Sequence, residues 1–384
     1  MKIRSMKMGL VALNYIYLSE KHAGGKDQVG LNLLRGFYEQ GKTKNMLVIC
    51  YEYTKSVILK YAPDVKIIAL KNPKIQNELG RMLSICYVNS VVIPKLIKKY
   101  RIRVLYHLSC NNGLRKLKTK SIVIPHDIKA VSHRVLANVK IPFIKHFIYK
   151  VMYAVDFKHA DCIIAISNTD KGEISKYYPS VKNKIVRIYN PIDFERKVID
   201  GEKKKKDIVA INLQFHHKNV ITLIKAFELI KDKTECNLVL IGNVPDRVKY
   251  LKEYVTSHNL DDRIIFKGFV EDEERNYLLE NCRLYVNPTL YEGFGMTAVE
   301  AIILGVPTLV SKIPTNYEVT QGLCEYYYPP EDEKVLAEKL IECLNKKYSS
   351  DVLEESSKRI YELYNYRHIS KLYLRLFRAV MERE

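Results

Sequence analysis

Residues 283–311 read RLYVNPTLYEGFGMTAVEAIILGVPTLVS, and composition alone divides them into four pieces. RLYVNP suits a short strand, TLYEGFG a loop, MTAVEAIIL a helix and TLVS a second strand. The strand segments are apolar at consecutive positions rather than alternate ones. That pattern marks strands buried on both faces, as in parallel sheets covered by helices. Outward from this unit the same alternation fills the chain. MGLVALN, NMLVICYE, VKIIAL, RVLYHLS, SIVIPH, CIIAIS and IVRIYN are strand candidates in the first half, and DIVAINL, NLVLIG and RIIFKGF complete the second. Two such series, separated by helix-length segments, predict an α/β chain of two doubly wound, Rossmann-like domains.

The division falls in NPIDFERKVIDGEKKKKD, residues 190–207, which holds Pro191, Gly201 and four consecutive lysines ahead of a new strand. An N-terminal domain is therefore assigned to 1–190, a linker to 191–206 and a C-terminal domain to 207–365. NYRHISKLYLRLFRAVMERE, at the end, has Tyr, Leu and Phe at three- and four-residue spacing and reads as a final helix over 366–384. In open sheets of this kind ligands sit beyond the carboxyl ends of the strands, so a cleft between two such domains is the expected active site.

At 384 residues, 47% hydrophobic and 28% charged, the chain has the balance of a soluble globular protein. No stretch approaches eighteen uncharged apolar residues, so no membrane-spanning helix is expected. The basic start and short apolar run of MKIRSMKMGLVALNYIYLSE read as a first strand rather than a leader. Eight scattered cysteines suit reduced cytoplasmic thiols better than a disulfide frame or a zinc site.

The net charge is +20, and its distribution is uneven. Residues 1–190 carry 34 Lys and Arg against 11 Asp and Glu, a net +23, whereas 191–384 carry 29 against 32, a net −3. A basic half suggests an anionic partner: nucleic acid, an anionic membrane surface or a phosphorylated substrate. No nucleic-acid recognition motif is present, and the charge avoids the half that carries the phosphate-like loop, so no nucleic acid is expected. IPKLIKKYRIR, LRKLKTK and IPFIKHFIYKVMY interleave Lys and Arg with Ile, Leu, Phe and Tyr. They suit a peripheral position at the inner face of the plasma membrane, and equally suit amphipathic helices packed on a sheet.

Within MTAVEAIIL, 296–304, Thr297 and Glu300 are the only side chains able to make strong hydrogen bonds. A carboxylate in an apolar helix is costly unless something pairs with it. A glycine loop feeding a helix N-terminus offers free N–H groups and a positive dipole end, which suit a phosphate. Gly293 and Gly295 permit close backbone approach. Glu300, one turn in, would reach a ribose hydroxyl of the same nucleotide, and Glu292 a second sugar beyond the phosphates. On spacing alone a tight turn with a capping Glu292 and a surface-facing Glu300 fits as well.

NPTLYEGFGMTAVEAIILGVPTLVS resembles the signature of the retaining family-4 (group 1) glycosyltransferases of the GT-B fold, with two glutamates separated by seven residues, Glu292 and Glu300, around a Gly-Phe-Gly turn. SNTDKGEISKYYP, YNPID, HHKNVITLIKAFELI, DDRIIFKGFVEDEERNYLLENCRLYVNP and SKIPTNYEVTQGLCEYYYPPED extend the resemblance over most of 155–384. GGKDQVGLNLLRGF and IPHDIKA extend it more weakly into the first half. The resemblance implies GT-B architecture: an acceptor-binding N-terminal domain faces a nucleotide-sugar-binding C-terminal domain across a cleft, and the last helix crosses back to the N-terminal domain. It implies Glu300 on the ribose and Glu292 on the donor sugar. The backbone N–H groups of Gly293, Phe294, Gly295 and Met296 would meet the diphosphate or sugar, with Thr297 at the same helix end. Lys218 matches the lysine set against the diphosphate. Asn212 stands where many members carry arginine, a departure for which His216 or His217 would compensate. His126, ending a strand beside Asp127, matches the active-site histidine facing the donor sugar, although a histidine there is also explained by local hydrogen bonding. Gly24 and Gly25 match a loop near the donor phosphate and acceptor.

No DxD motif and no metal-spaced His, Cys or carboxylate cluster is present. The resemblance implies metal-independent transfer with retention from a nucleotide-diphosphate sugar, needing no cofactor, to a glycan or lipid-linked acceptor in surface polysaccharide biosynthesis. Asn212 also motivates a competing reading, a non-catalytic subunit of the same fold.

Overall fold

In the computed structural model of the chain, residues 10–19, 24–73, 78–110, 113, 115–194 and 206–383 are described. Residues 1–9 of the basic start, Leu114 in LRKLKTK and 195–205 of the expected linker lie outside them. The chain divides into two compact units. Unit 1 comprises Met1–Ser132, Pro142–Asp193 and Tyr364–Glu384, and unit 2 comprises His133–Ile141 and Phe194–Leu363.

The first part of the chain runs β1 (Val11–Asn14), α1 (Gly25–Glu39), β2 (Met46–Tyr51), α2 (Lys55–Tyr61), β3 (Lys66–Leu70), α3 (Glu78–Tyr87), α4 (Ile93–Tyr100), β4 (Val104–His107), β5 (Lys120–Val123) and α5 (Lys129–Ser132). A two-stranded hairpin, β6 (Val135–Leu136) and β7 (Val139–Lys140), groups with unit 2. Unit 1 resumes with α6 (Phe143–His159), β8 (Cys162–Ala165), α7 (Asn168–Tyr177) and β9 (Ile185–Arg187). Its sheet is parallel in the order β3-β2-β1-β4-β5-β8-β9. Val11 of β1 pairs with Met46 on one side and Val104 on the other, so strand order reverses between β1 and β4.

Unit 2 continues with β10 (Ile208–Ile211), α8 (Val220–Glu228), β11 (Leu238–Ile241), α9 (Tyr250–Ser257), β12 (Ile264–Gly268), α10 (Asp272–Glu280), β13 (Leu284–Asn287), α11 (Met296–Ile303), β14 (Thr308–Ser311), α12 (Pro314–Val319), β15 (Glu325–Tyr327), α13 (Glu333–Asn345) and α14 (Ser350–Tyr364). Its parallel sheet has the order β12-β11-β10-β13-β14-β15 and reverses between β10 and β13. The period of two along these strands feeds two separate cores. Ile208, Ala210, Leu238 and Leu240 pack on one face with Leu223, Phe227 and Leu340, while Val209, Val239 and Ile241 pack on the other with Leu279, Ala298 and Ala301. Helices therefore cover both faces, which explains why the strands read as unbroken apolar runs. β15 escaped the sequence reading because EYY is a three-residue edge strand without Val or Ile. The hairpin at 135–140 escaped it for want of length.

The last helix, α15 (Tyr366–Glu382), belongs to unit 1 and buries Tyr366, Ile369, Tyr373, Leu376, Phe377 and Val380. Phe377 meets Phe37 of α1 at 5.9 Å between ring centroids, and Tyr373 meets Tyr106 of β4 edge-on at 5.6 Å. Gly36 lets the two helices close together: a Cβ there would lie 2.7 Å from Ser370 Cβ and 2.9 Å from the Tyr366 carbonyl oxygen. All eight cysteines are free thiols, with Cys50, Cys162, Cys282 and Cys343 buried. Among the described residues, no helix is long and apolar enough to cross a membrane.

Candidate active site

In unit 2 the loops after β10 and β13 flank the point where strand order reverses, the place where doubly wound sheets bind ligands. They are tied to each other. The His217 carbonyl accepts from Leu290 N at 2.8 Å, and the Thr289 hydroxyl lies between the carbonyls of His217 and Tyr291, at 3.0 and 2.9 Å. Asn219 ends the short turn His216–Lys218 in the left-handed region, φ +55°, a conformation asparagine tolerates better than most residues. Its amide donates to the carbonyls of Pro288 and Pro330 at 3.1 and 2.7 Å.

This clamp aims Lys218 at the second loop. Its Nζ donates to Glu292 Oε1 at 2.6 Å, with the two side chains only 15% and 13% exposed. Beyond Glu292 the chain turns through Gly295, φ +81°, which caps the start of α11. The positive φ calls for glycine there. A Cβ on Gly295 would also come within 3.4 Å of Asn316 Oδ1, a buried oxygen with no hydrogen-bond partner among the described residues. Phe294 and Thr297 are buried, and Gly293 and Met296 partly exposed. His216 is occupied elsewhere, stacked on Tyr250 with its Nδ1 3.3 Å from the tyrosine hydroxyl. The His217 ring lies 5.5 Å from that of Phe215. Asn212 sits at the end of β10 with φ +74° and is exposed.

Glu300 does not face the surface: it is 5% exposed, and Arg275 Nη1 of α10 lies 3.3 Å from its Oε2. The pair lacks hydrogen-bond geometry, which leaves Glu300 Oε2 without a hydrogen-bond partner among the described residues. Burial pushes the Glu300 carboxyl above its ordinary range; Arg275 opposes the shift and Asp272 reinforces it. Tyr285 of β13 is buried and within electrostatic reach of both glutamates. Burial first, then the charges of Glu292 and Glu300, keep it a neutral phenol. Arg275 and Tyr285 are the residues that sequence reading missed. Arg275 is one basic residue in the acidic segment DEERNYLLE, and nothing in that pattern points it at a buried carboxylate.

His126, Gly24 and Gly25 lie in unit 1. His126 follows β5 with φ +65°, a strained conformation for a non-glycine residue. Its Nε2 lies 3.1 Å from the Leu108 carbonyl, so that nitrogen carries the proton and Nδ1 is left as an acceptor. Burial, aided by the Lys26 charge, pushes His126 down to about 3, so the ring is neutral. Gly24 caps α1 in an extended conformation, φ −107°, and a Cβ on it would meet only Asp27 Oδ2, at 3.9 Å. Neither dihedral nor packing demands glycine there. Asp27 is buried in the first turn of α1, where it accepts from Ser19 N at 3.3 Å and from the Ser19 hydroxyl. Among the described residues no group of three or more His, Cys, Asp or Glu side chains is placed to hold a metal ion.

Two parallel α/β units, each with a strand-order reversal of the kind that binds ligands, define the fold class. Solved structures carry the same fold. Sucrose-phosphate synthase from Thermosynechococcus elongatus superposes with a TM-score of 0.76 at 17% identity, covering 97% of this chain and 100% of that one. The Anabaena protein HepE, in complex with UDP and glucose, gives 0.71 at 15% identity, with coverage of 97% and 100%. The fold is thus GT-B. Two family profiles match, "Glycosyltransferase Family 4" over residues 24–196 and "Glycosyl transferases group 1" over 191–362. The chain belongs to the group 1, family-4 glycosyltransferases. The O-antigen chain mannosyltransferase RfbU of Salmonella typhimurium is 29% identical over 193 residues, 50% of this chain and 53% of that protein. The chain thus spans about half the length of that relative.

Proposed function

We propose that the protein transfers a hexosyl group, with retention of anomeric configuration, from a nucleotide-diphosphate sugar to a hydroxyl of a glycan or lipid-linked acceptor in surface polysaccharide biosynthesis. The observation that carries this reading is the Lys218–Glu292 pair, half-enclosed at the mouth of α11 where strand order reverses. On donor binding Lys218 Nζ exchanges Glu292 for the diphosphate, and Glu292 turns to a hydroxyl of the donor sugar. The N–H groups of Gly293 to Met296 and the dipole of α11 receive the remaining phosphate charge, as helix N-termini do. Glu300 accepts from the ribose hydroxyls, giving its unpartnered oxygen the donor it lacks.

In the reaction the bond between the anomeric carbon and the phosphate oxygen breaks, its electron pair leaving with the diphosphate. The acceptor oxygen bonds to the same face of that carbon, and its proton passes to the departing phosphate. Lys218 stabilises the charge as it develops, the role with most leverage in a water-poor site. Neutral His126 offers Nδ1 as an acceptor to a sugar hydroxyl. Within unit 1, Gly24 and Gly25 would permit close backbone approach to a ligand, and within unit 2 the His217 side chain would border the donor. No metal or cofactor is assigned, and a cytoplasmic location is part of the proposal. Mannose is the first sugar to test, because the Salmonella relative is a mannosyltransferase.

Transfer assays on Lys218→Ala and Glu292→Ala test the reading. Loss of about a hundredfold or more in turnover is expected for each, and variants as active as wild type would refute the site. A thermal-shift screen with UDP-, GDP-, ADP- and dTDP-sugars identifies the donor, because a ligand that binds only the folded state raises the melting temperature. Asn212 supports a second reading, a non-catalytic subunit with one positive charge fewer at the diphosphate. That reading requires donor binding without turnover.

A further inference from the structure

Helix α6 is amphipathic in the opposite sense to a helix that covers a sheet. His146, Tyr149, Tyr153, Asp156 and Phe157 turn toward the body of unit 1. His146 Nδ1 donates to the Ala130 carbonyl at 3.0 Å, Tyr153 OH donates to the Asp127 carbonyl at 3.2 Å, and Phe157 packs edge-on against Tyr178. Phe143, Ile144, Phe147, Ile148, Val151 and Met152 turn outward, 36% to 73% exposed. At 3.6 residues per turn these six fall within an arc of about 180°. Lys150 lies about 20° beyond one edge of that arc and Lys145 about 20° beyond the other. Lys158 is exposed near the end of the helix, and the one acid, Asp156, is buried, so every carboxylate or ammonium that α6 exposes is a lysine. Soluble chains seldom leave so continuous an apolar stripe uncovered without a use for it.

We propose that α6 docks on an anionic lipid bilayer, lying in the plane of the interface. The six apolar side chains enter the boundary of the acyl region, and Lys145 and Lys150 meet lipid phosphates along the two edges. The occupant follows from charge. An apolar band with lysine on both margins and no exposed acid complements a surface that is apolar inside and anionic at its rim. A second copy of the helix would set lysines against lysines across a two-fold contact, which opposes association. The net +23 of residues 1–190 adds long-range attraction to the same surface. This inference stands apart from the proposed transfer reaction, because binding is measured with no sugar donor present.

The test is flotation of the whole chain with phosphatidylcholine vesicles containing about one third phosphatidylglycerol, beside pure phosphatidylcholine. Binding is expected to the anionic vesicles, and to weaken on raising ionic strength to about 0.5 M. Lys145→Ala with Lys150→Ala is expected to weaken it roughly thirtyfold. Ile144→Ser with Phe147→Ser is expected to weaken it at least tenfold, with the melting temperature unchanged because both side chains are exposed. The chain has no tryptophan, so Phe147→Trp supplies a single reporter whose emission shifts to the blue on insertion. Absence of binding to anionic vesicles, full binding by the Ser double variant, or an unshifted emission in the bound state would each overturn the proposal. So would a dimer that the Ser double variant disrupts in the absence of vesicle binding, since the stripe would then belong to a second copy.

Discussion

At the scale of single residues, the site holds two carboxylates in opposite states. Glu292 has its counter-charge at 2.6 Å, whereas Glu300 is buried with an ion pair too poorly aligned to bond. Because burial raises the folded-state value of Glu300, its contribution to stability is fullest below the unfolded value and is lost as pH rises through the folded one. Glu300→Gln is therefore expected to raise the melting temperature of the ligand-free protein at pH 7, the gain shrinking toward pH 4. The same substitution should weaken donor binding if the carboxylate serves the ribose. Thermal unfolding across pH, with and without nucleotide, separates the two effects. His107 behaves in the opposite sense. It is fully buried, its Nδ1 accepts from Asn14 Nδ2 at 3.0 Å, and burial pushes it down to about 3. A depressed histidine contributes stability above its unfolded value that is lost as pH falls. Each pH unit between 6.5 and 3 should then cost about 1.4 kcal/mol. Denaturant titrations at pH 7 and pH 5 are expected to show this loss in wild type and to show less of it in His107→Gln.

At the scale of elements, α1 and α15 approach closely at Gly36. Gly36→Ala gains about 1 kcal/mol of helix propensity. The added methyl, however, would stand 2.9 Å from a backbone oxygen that cannot rotate away. Overpacking of this kind costs about 1–3 kcal/mol, so a net fall in melting temperature is expected, and Gly36→Ala would need to match wild type to contradict it. The elements also show why legibility differed along the chain. Each strand candidate named in the sequence is a strand in the structure, and in the inner strands β1, β2, β4 and β11 burial on both faces makes the runs continuously apolar. β15 and the 135–140 hairpin are too short to carry any period. Glu300 was readable as an anomaly because its helix is otherwise apolar. Arg275 was not, because only the folding of α10 beside α11 brings it to 3.3 Å.

At the scale of the whole molecule, two parallel sheets each anchor a unit of their own, and the excess positive charge belongs to the first half of the sequence. Unit 1 is discontinuous: its third segment, Tyr364–Glu384, follows nearly all of unit 2. A chain ending at residue 363 is expected to lose the cover over Phe37 and Tyr106 while keeping the unit 2 sheet. Limited proteolysis should then cut first within 24–193, and equal resistance of both units would count against this. The same feature bears on how the protein is made. The ribosome finishes Asp193 roughly 170 residues before α15 begins. At 5–20 residues per second the nascent first unit waits about ten to thirty seconds with Phe37 and Tyr106 lacking their α15 partners. During that interval unit 2 can finish first, and chaperones have their best access to Phe37 and Tyr106.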